Sequence, residues 1–249
     1  MSTSVASAVG TFVWHEHVSA DPQRAQQFYA DLLGWEYTDF GEGYTVINSG
    51  GQGHGGFPPA MDGVPPHWLG SVQVEDTDGV IEKAKSGGGN VVMGPMDIPD
   101  VGRYAVVTDP QGGGFSVIQV AAEGGPMGKG VFVWDELATS DVAAAKTFYS
   151  EVLGWSSEDM DMGGDFTYTI FKHPNAEQGV GGAMPQGEAP ATMWLCYINA
   201  PDIDATAAKA KELGATVLRE PFDIENIGRI AIVIDPTGAA FGLFKSSSS

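Results

Sequence analysis

From Phe12 to Val18 the chain reads FVWHEHV, a run that alternates between two sets of side chains and predicts a strand. Asp21 and Pro22 then supply a helix N-cap and a first-turn proline. Ala25, Phe28, Tyr29, Leu32 and Leu33 recur at helical spacing up to a stop at Gly34. Short β-rich segments follow, ending in YTVINSG and GGQGHGGF. The pattern then restarts: WLGSVQV is a strand, Asp76 to Ser86 a helix stopped by Gly87, and NVVMGP, RYAVVT and FSVIQV are three more strands separated by turns, DPQG among them. The order β-α-β-β-β thus occurs twice before residue 120.

The second half repeats the first. FVWHEH with FYADLLGW returns as FVWDEL with FYSEVLGW at a shift of 120, and DIPDVGRYAVVTDPQG returns as DIENIGRIAIVIDPTG at a shift of 126. The six extra residues are expected in the glycine- and aspartate-rich SSEDMDMGGD, where a hairpin lengthens harmlessly. The glycine-rich AAEGGPMGKG, residues 121–130, reads as a linker between a domain over 1–120 and a second over 131–249. Two domains also suit a length of 249 residues.

Composition narrows the functional classes. Twelve basic against 32 acidic residues give a formal charge of −20, which repels nucleic-acid phosphates and anionic bilayers. No run approaches the roughly 20 apolar residues of a membrane span. MSTSVASAVG lacks both the cationic start and the apolar core of a signal peptide, so it reads as a short lead-in and the expected location is the cytoplasm. The lone cysteine, Cys196, is expected to be a buried apolar residue. No GxGxxG between strand and helix, no GxxxxGK, no GxSxG and no HExxH occurs.

The β-α-β-β-β order, the FYxxxLGW after the first helix and the DPxG turn before the last strand resemble the glyoxalase/bleomycin-resistance/dioxygenase superfamily, also called vicinal oxygen chelate. Within it, the chain is similar to two-domain, four-module members whose domains open with W-x-E, here Trp14-His15-Glu16 and Trp134-Asp135-Glu136. The resemblance implies an α+β fold of four βαβββ modules forming two tandem open β-barrels with helices outside. Each barrel would surround a cavity for a small molecule. Metal-dependent members take ligands from the first and last strands of each module. Aligned on the strand-to-helix turns, the first-strand positions fall on Trp14, Trp68, Trp134 and Trp194, and the last-strand positions on Ser116 and Gly242. None supplies a carboxylate or imidazole.

The expected site therefore holds no metal or other cofactor. Strand alternation puts Trp14 and Glu16 on one face and His15 and His17 on the other, the helix-packed side. Because the repeat keeps Trp and Glu but replaces the histidines by Asp135 and Leu137, Glu16 and Glu136 are the candidate catalytic residues. Trp14, Trp68, Trp134, Trp194 and Ser116 are the candidate ligand contacts, the indoles suited to stacking on a planar molecule. The alternative is a metal-dependent lyase or dioxygenase confined to the first domain, with His15 and His67 holding Fe, Ni, Zn or Mn after a one-residue shift of register. Arg103 and Arg229 are expected to pair with neighbouring aspartates, and Gly55-Gly56 and Gly181-Gly182 to mark a bulge or bend. Four modules complete two barrels, so a monomer suffices structurally and a homodimer is compatible.

Overall fold

The computed structural model describes residues 8–49, 51–121, 130–163, 166–176, 178–187 and 189–247. Most of the expected linker, the first seven residues of the lead-in, and Gly164 and Asp165 of the expected insertion lie outside the described residues.

Four modules of one order follow one another. The first contains β1 (Phe12–Val18), α1 (Pro22–Leu33), β2 (Glu36–Gly41), β3 (Tyr44–Ser49) and β4 (Gln52–Phe57). The second contains β5 (His67–Gln73), α2 (Thr77–Ser86), β6 (Asn90–Ile98), β7 (Gly102–Thr108) and β8 (Gly114–Val120). In the third come β9 (Phe132–Thr139), α3 (Val142–Leu153), β10 (Ser156–Asp161), β11 (Thr167–Lys172) and β12 (Gly181–Pro185). The fourth has β13 (Met193–Asn199), α4 (Ile203–Glu212), β14 (Thr216–Ile224), β15 (Gly228–Ile234) and β16 (Ala240–Ser246). The helices start where the sequence predicts: the carboxylates of Asp21, Asp76, Asp141 and Asp202 each accept the backbone N–H three residues on.

The strands form two open eight-stranded sheets, ordered β2-β3-β4-β1-β5-β8-β7-β6 and β10-β11-β12-β9-β13-β16-β15-β14. In each module the last strand returns parallel to the first, so that Glu16 pairs with Gly56, Ser71 with Ser116, Glu136 with Gly182 and Tyr197 with Gly242.

Each sequence half thus supplies one sheet, but the compact units are drawn from both halves. One unit combines module two from Gly70 onward with module three from Trp134 to Trp194, and includes Phe12 and Val13. The other combines module one from Trp14 to Leu69 with module four from Leu195 onward, and includes Val131, Phe132 and Val133. Each has its own core. In the first, α2 packs on α3 and buries Val80, Ile81, Ala84, Phe148 and Tyr149 with Phe115, Trp155 and Trp194. In the second, α1 packs on α4 and buries Phe28, Tyr29, Trp35, Trp68, Cys196, Ile203 and Phe241. Cys196 is buried, as its type predicts.

The motif residues meet in these cores. Tyr29 stacks on Trp35, with ring centroids 5.0 Å apart. Its hydroxyl accepts from Trp68 Nε1 at 2.9 Å and donates to Asp235 Oδ2 at 3.0 Å. Asp235 Oδ1 gathers the backbone N–H groups of Thr237, Gly238 and Ala239, closing the DPTG turn. The other unit repeats the set: Tyr149 stacks on Trp155, accepts from Trp194 Nε1 at 2.9 Å and donates to Asp109 Oδ2 at 3.0 Å. Burial pushes both tyrosine hydroxyls well above their usual pKa, and the adjacent aspartate adds to the effect, so they remain donors at any working pH.

The two clusters differ at one residue. His17 Nε2 donates to Asp235 at 2.7 Å, whereas Leu137 stands at the corresponding position beside the Asp109 turn. Burial alone disfavours either carboxylate. It raises the Asp109 pKa, with Gly113 and Tyr149 offsetting only part of the cost. At Asp235 the His17 hydrogen bond and charge, with Thr237 and Ala239, outweigh burial and hold the pKa below the usual range. A carboxylate depressed on folding stabilises the native state above its unfolded pKa of about 4, and that contribution is lost as pH falls through the lower native value. His17→Leu is expected to cost about 2–3 kcal/mol at pH 7, and the deficit should shrink below about pH 4 as Asp235 protonates. Urea denaturation at the two pH values measures it; an equal deficit at both would show that Asp235 ionisation is not what His17 supports.

Candidate functional site

Side-chain alternation gives each strand a helix-bearing face and an open face. On β1, Val13, His15 and His17 are buried toward the helix side, while Trp14 and Glu16 are half-buried on the open face. On β9, Asp135 and Leu137 are buried and Trp134 and Glu136 half-buried. The sequence reading of these two strands agrees with this arrangement.

A residue absent from that reading completes the site. Tyr44 on β3 donates its hydroxyl proton to Glu16 Oε1 at 2.8 Å and accepts from Trp14 Nε1 at 2.8 Å. In the other unit Tyr168 on β11 accepts from Trp134 Nε1 at 2.8 Å and makes a side-chain hydrogen bond with Glu136. Burial first, then the Glu136 charge, raises the Tyr168 pKa, so this tyrosine is a fixed donor. Each unit therefore carries an indole N–H, a phenol and a carboxylate in series. The chain of bonds orients one carboxylate oxygen and positions it beside an aromatic surface. The signal was in the repeat, since YTVI at 44–47 returns as YTIF at 168–171.

The second glycine of each pair seats this tyrosine, while Gly55 borders a register shift between β3 and β4, as the sequence reading of a bulge expects. A Cβ on Gly56 would lie 2.2 Å from Tyr44 Oη, and one on Gly182 2.1 Å from Tyr168 Oη. Hydrogen at those positions lets the phenol lie across the strand that pairs with Glu16 or Glu136. The edge of the first site also carries Phe40, 62% exposed, against the Tyr44 ring at 6.3 Å.

Trp68 and Trp194 do not join Trp14 and Trp134. They are 4% and 6% exposed and point into the helix-bearing cores, bonded to Tyr29 and Tyr149. Trp14 and Trp134 stand seven positions before their helix caps Asp21 and Asp141, whereas Trp68 and Trp194 stand eight before Asp76 and Asp202. An odd difference along a strand reverses the face. Ser116 is fully buried, 2.5 Å from Ser71 Oγ and 3.3 Å from the Gly70 carbonyl. At the matching place in module four, Gly242 makes room for the Tyr197 ring.

The donors present do not fit a metal of the family's kind. His15 is buried on the helix side, its ring stacked on Phe132 at 4.1 Å, while His67 belongs to the opposite strand face and turns Nδ1 to the Pro65 carbonyl at 2.8 Å. A register shift that would bring both imidazoles inward is therefore not what β1 and β5 adopt. Among the described residues no three His, Cys, Asp or Glu side chains converge. Arg103 is held by Asp78 and Asp97, and Arg229 by Asp204 and Asp223, in the aspartate pairing the sequence predicts.

The six-residue insertion is divided rather than confined to the hairpin. Tyr44 and Tyr168 stand 124 apart, while Gly56 and Gly182 stand 126 apart. Four extra residues therefore fall before Tyr168, and two in the connection from β11 to β12.

This fold and motif set place the chain in a known family. The model of the Glyoxalase/Bleomycin resistance protein/Dioxygenase superfamily matches residues 15–117 and again 131–243, and the chain belongs to that superfamily. A Mycobacterium bovis protein named "Putative glyoxylase CFP32" is 35% identical, covering 95% of each chain. The anthracycline biosynthesis protein DauV of Streptomyces sp. strain C5 is 32% identical over 95% of this chain and 93% of its own. Among solved structures, the Mn(II)-bound glyoxalase from Novosphingobium aromaticivorans superposes with a TM-score of 0.63 at 17% identity, covering 95% of this chain and 82% of that one. A homoprotocatechuate 2,3-dioxygenase variant from B. fuscum gives 0.65 at 14%, covering 98% and 74%. These two likenesses concern the fold.

The glycine argument yields a direct check. Gly56→Ala should destabilise the protein by about 1–3 kcal/mol by displacing Tyr44. In a Tyr44→Ala background the same change should cost little, a coupling that thermal or urea unfolding of the four proteins reads out. Strict additivity would mean that the glycine is not there to seat the tyrosine.

Proposed function

We propose that the protein binds a small, flat organic molecule bearing an O–H or N–H donor at the Glu–Tyr–Trp sites, without a bound metal. The observation that carries this reading is the series Trp14–Tyr44–Glu16 and its repeat Trp134–Tyr168–Glu136. A half-buried carboxylate oriented by a phenol accepts a hydrogen bond from the ligand, and the neighbouring indole offers a face for a planar ring. In an enzyme built on this site, Glu16 or Glu136 is the group that takes the substrate proton. The net charge of −20 disfavours anions on approach except where a local cation offsets it.

Two relatives support a small-molecule role. DauV is named for anthracycline biosynthesis, and anthracyclines contain flat fused rings with hydroxyl groups. CFP32 is named as a glyoxylase, which keeps the reaction class within the superfamily's small-molecule chemistry. Among the described residues, neither His15 and His67 nor the residues at the expected ligand positions form a metal-binding set, which supports the metal-free reading.

The test is titration of chelator-treated protein with 1,4-dihydroxyanthraquinone, followed by quenching of tryptophan emission. Saturable binding is expected without added metal. The Glu16→Gln, Glu136→Gln double variant should bind about tenfold more weakly, equivalent to about 1.4 kcal/mol. Binding that appears only after addition of Fe, Ni, Zn or Mn, or that ignores both glutamates, would refute the proposal.

A further inference from the structure

A cleft of about 470 Å³ lies in the unit that contains Glu136, lined by Ser156, Ile170, Lys172, His173, Gln178 and Gly179 among others. This volume is in the range of small-molecule sites. No residue of the Glu–Tyr–Trp series lines it, but it adjoins that series on the same face. Tyr168, Ile170 and Lys172 alternate along β11 toward the open side, and Ser156 pairs with Lys172 across β10. Gly179 ties the two places together: a Cβ there would lie 2.7 Å from Ile170 Cγ2 and 2.9 Å from Trp134 Cη2. Gly179, on the cleft wall, thus lies beside the six-membered edge of the Trp134 indole whose N–H is engaged with Tyr168.

Its polar groups are mainly donors. Lys172 offers an ammonium whose protein partner, Glu158, is 64% exposed. An exposed pair of this kind is worth about 0–1 kcal/mol, so the ammonium exchanges partners readily. The backbone N–H of Asn175 donates to His173 Nδ1 at 3.2 Å, which puts the proton of a neutral imidazole on Nε2. Burial lowers the His173 pKa against the opposing charge of Glu75, which favours that neutral form. Gln178 adds an amide. The first module differs at these places: Asn48 and Ser49 stand where the third has Lys172 and His173, and the stretch from Tyr44 to Gly56 is two residues shorter than that from Tyr168 to Gly182.

We propose that this cleft is a second subsite of the Glu136 site, taking a carboxylate-bearing arm of a ligand whose flat, donor-bearing head lies at Glu136 and Trp134. This rests on the function proposed above and adds the class of ligand: a planar hydroxylated ring carrying a short acidic chain. It also separates the two sites, because at the place of the module-three cation Lys172 the first module carries Asn48.

Two fluorescent probes that share a head and differ in the arm test it at pH 6.5: 7-hydroxycoumarin-4-acetic acid and 7-hydroxy-4-methylcoumarin. The wild-type protein should bind the acid about tenfold more tightly than the methyl compound. Lys172→Asn, which installs the residue found in the first module, and Gln178→Trp, which fills the cleft, should each bring the two affinities within about twofold. Both variants should retain the wild-type unfolding midpoint. Equal affinities in the wild type, or a preference that survives both variants, would overturn the subsite while leaving the head site standing. Failure of Glu136→Gln to weaken either probe, or binding of neither probe below about 1 mM, would overturn the head site and the subsite with it.

Discussion

The hydroxyl of one helix tyrosine in each unit is the contact on which the rest depends. Tyr29 and Tyr149 each join a stacked tryptophan just past the end of their own helix, an indole N–H from the first strand of the following module, and the aspartate of a DPxG turn. A buried phenol and a buried carboxylate are both costly unless partnered. Here each satisfies the other, and the aspartate's second oxygen closes its turn. Tyr29 and Asp235 are 206 residues apart, so the bond fixes which modules share a core: one with four, and two with three. With the helix-bearing face consumed by this packing, the opposite face of the strands is left for Trp14, Glu16 and Tyr44 and for their repeats.

Much of this was legible in the sequence. Caps, strand periodicity, the fourfold βαβββ order and the motif FYxxxLGW give the fold, because they follow from local backbone preferences and from repetition. The face of Trp14 and Glu16 follows from alternation alone. Trp68 and Trp194 face the helix-bearing cores rather than the face of Trp14 and Trp134 because one extra residue separates them from Asp76 and Asp202, and a single step inverts a strand. Tyr44 was missed because a tyrosine in a short strand is unremarkable until the glycine opposite it is seen as the space for its hydroxyl. The sharing of cores between the two sequence halves is not encoded in any local pattern; it is a property of which buried polar groups find one another.

The repeat is also informative where it fails. His17 gives Asp235 a partner that Asp109 lacks, and Lys172 and His173 line a cleft in the third module where the first carries Asn48 and Ser49. Both changes leave the shared framework intact. The carboxylate, phenol and indole are kept in both copies, whereas the residues around them diverge.

The account stands on the tyrosine–aspartate contact, and the most direct measurement is a double-mutant cycle at Tyr149 and Asp109. Tyr149→Phe, Asp109→Ala and the pair together are compared with the wild type by urea denaturation. A coupling of about 1 kcal/mol or more, with each single change destabilising, is the predicted result. Effects that add to within about 0.3 kcal/mol would mean that the two motif residues are neighbours without being partners, and that some other interaction holds the modules in their units.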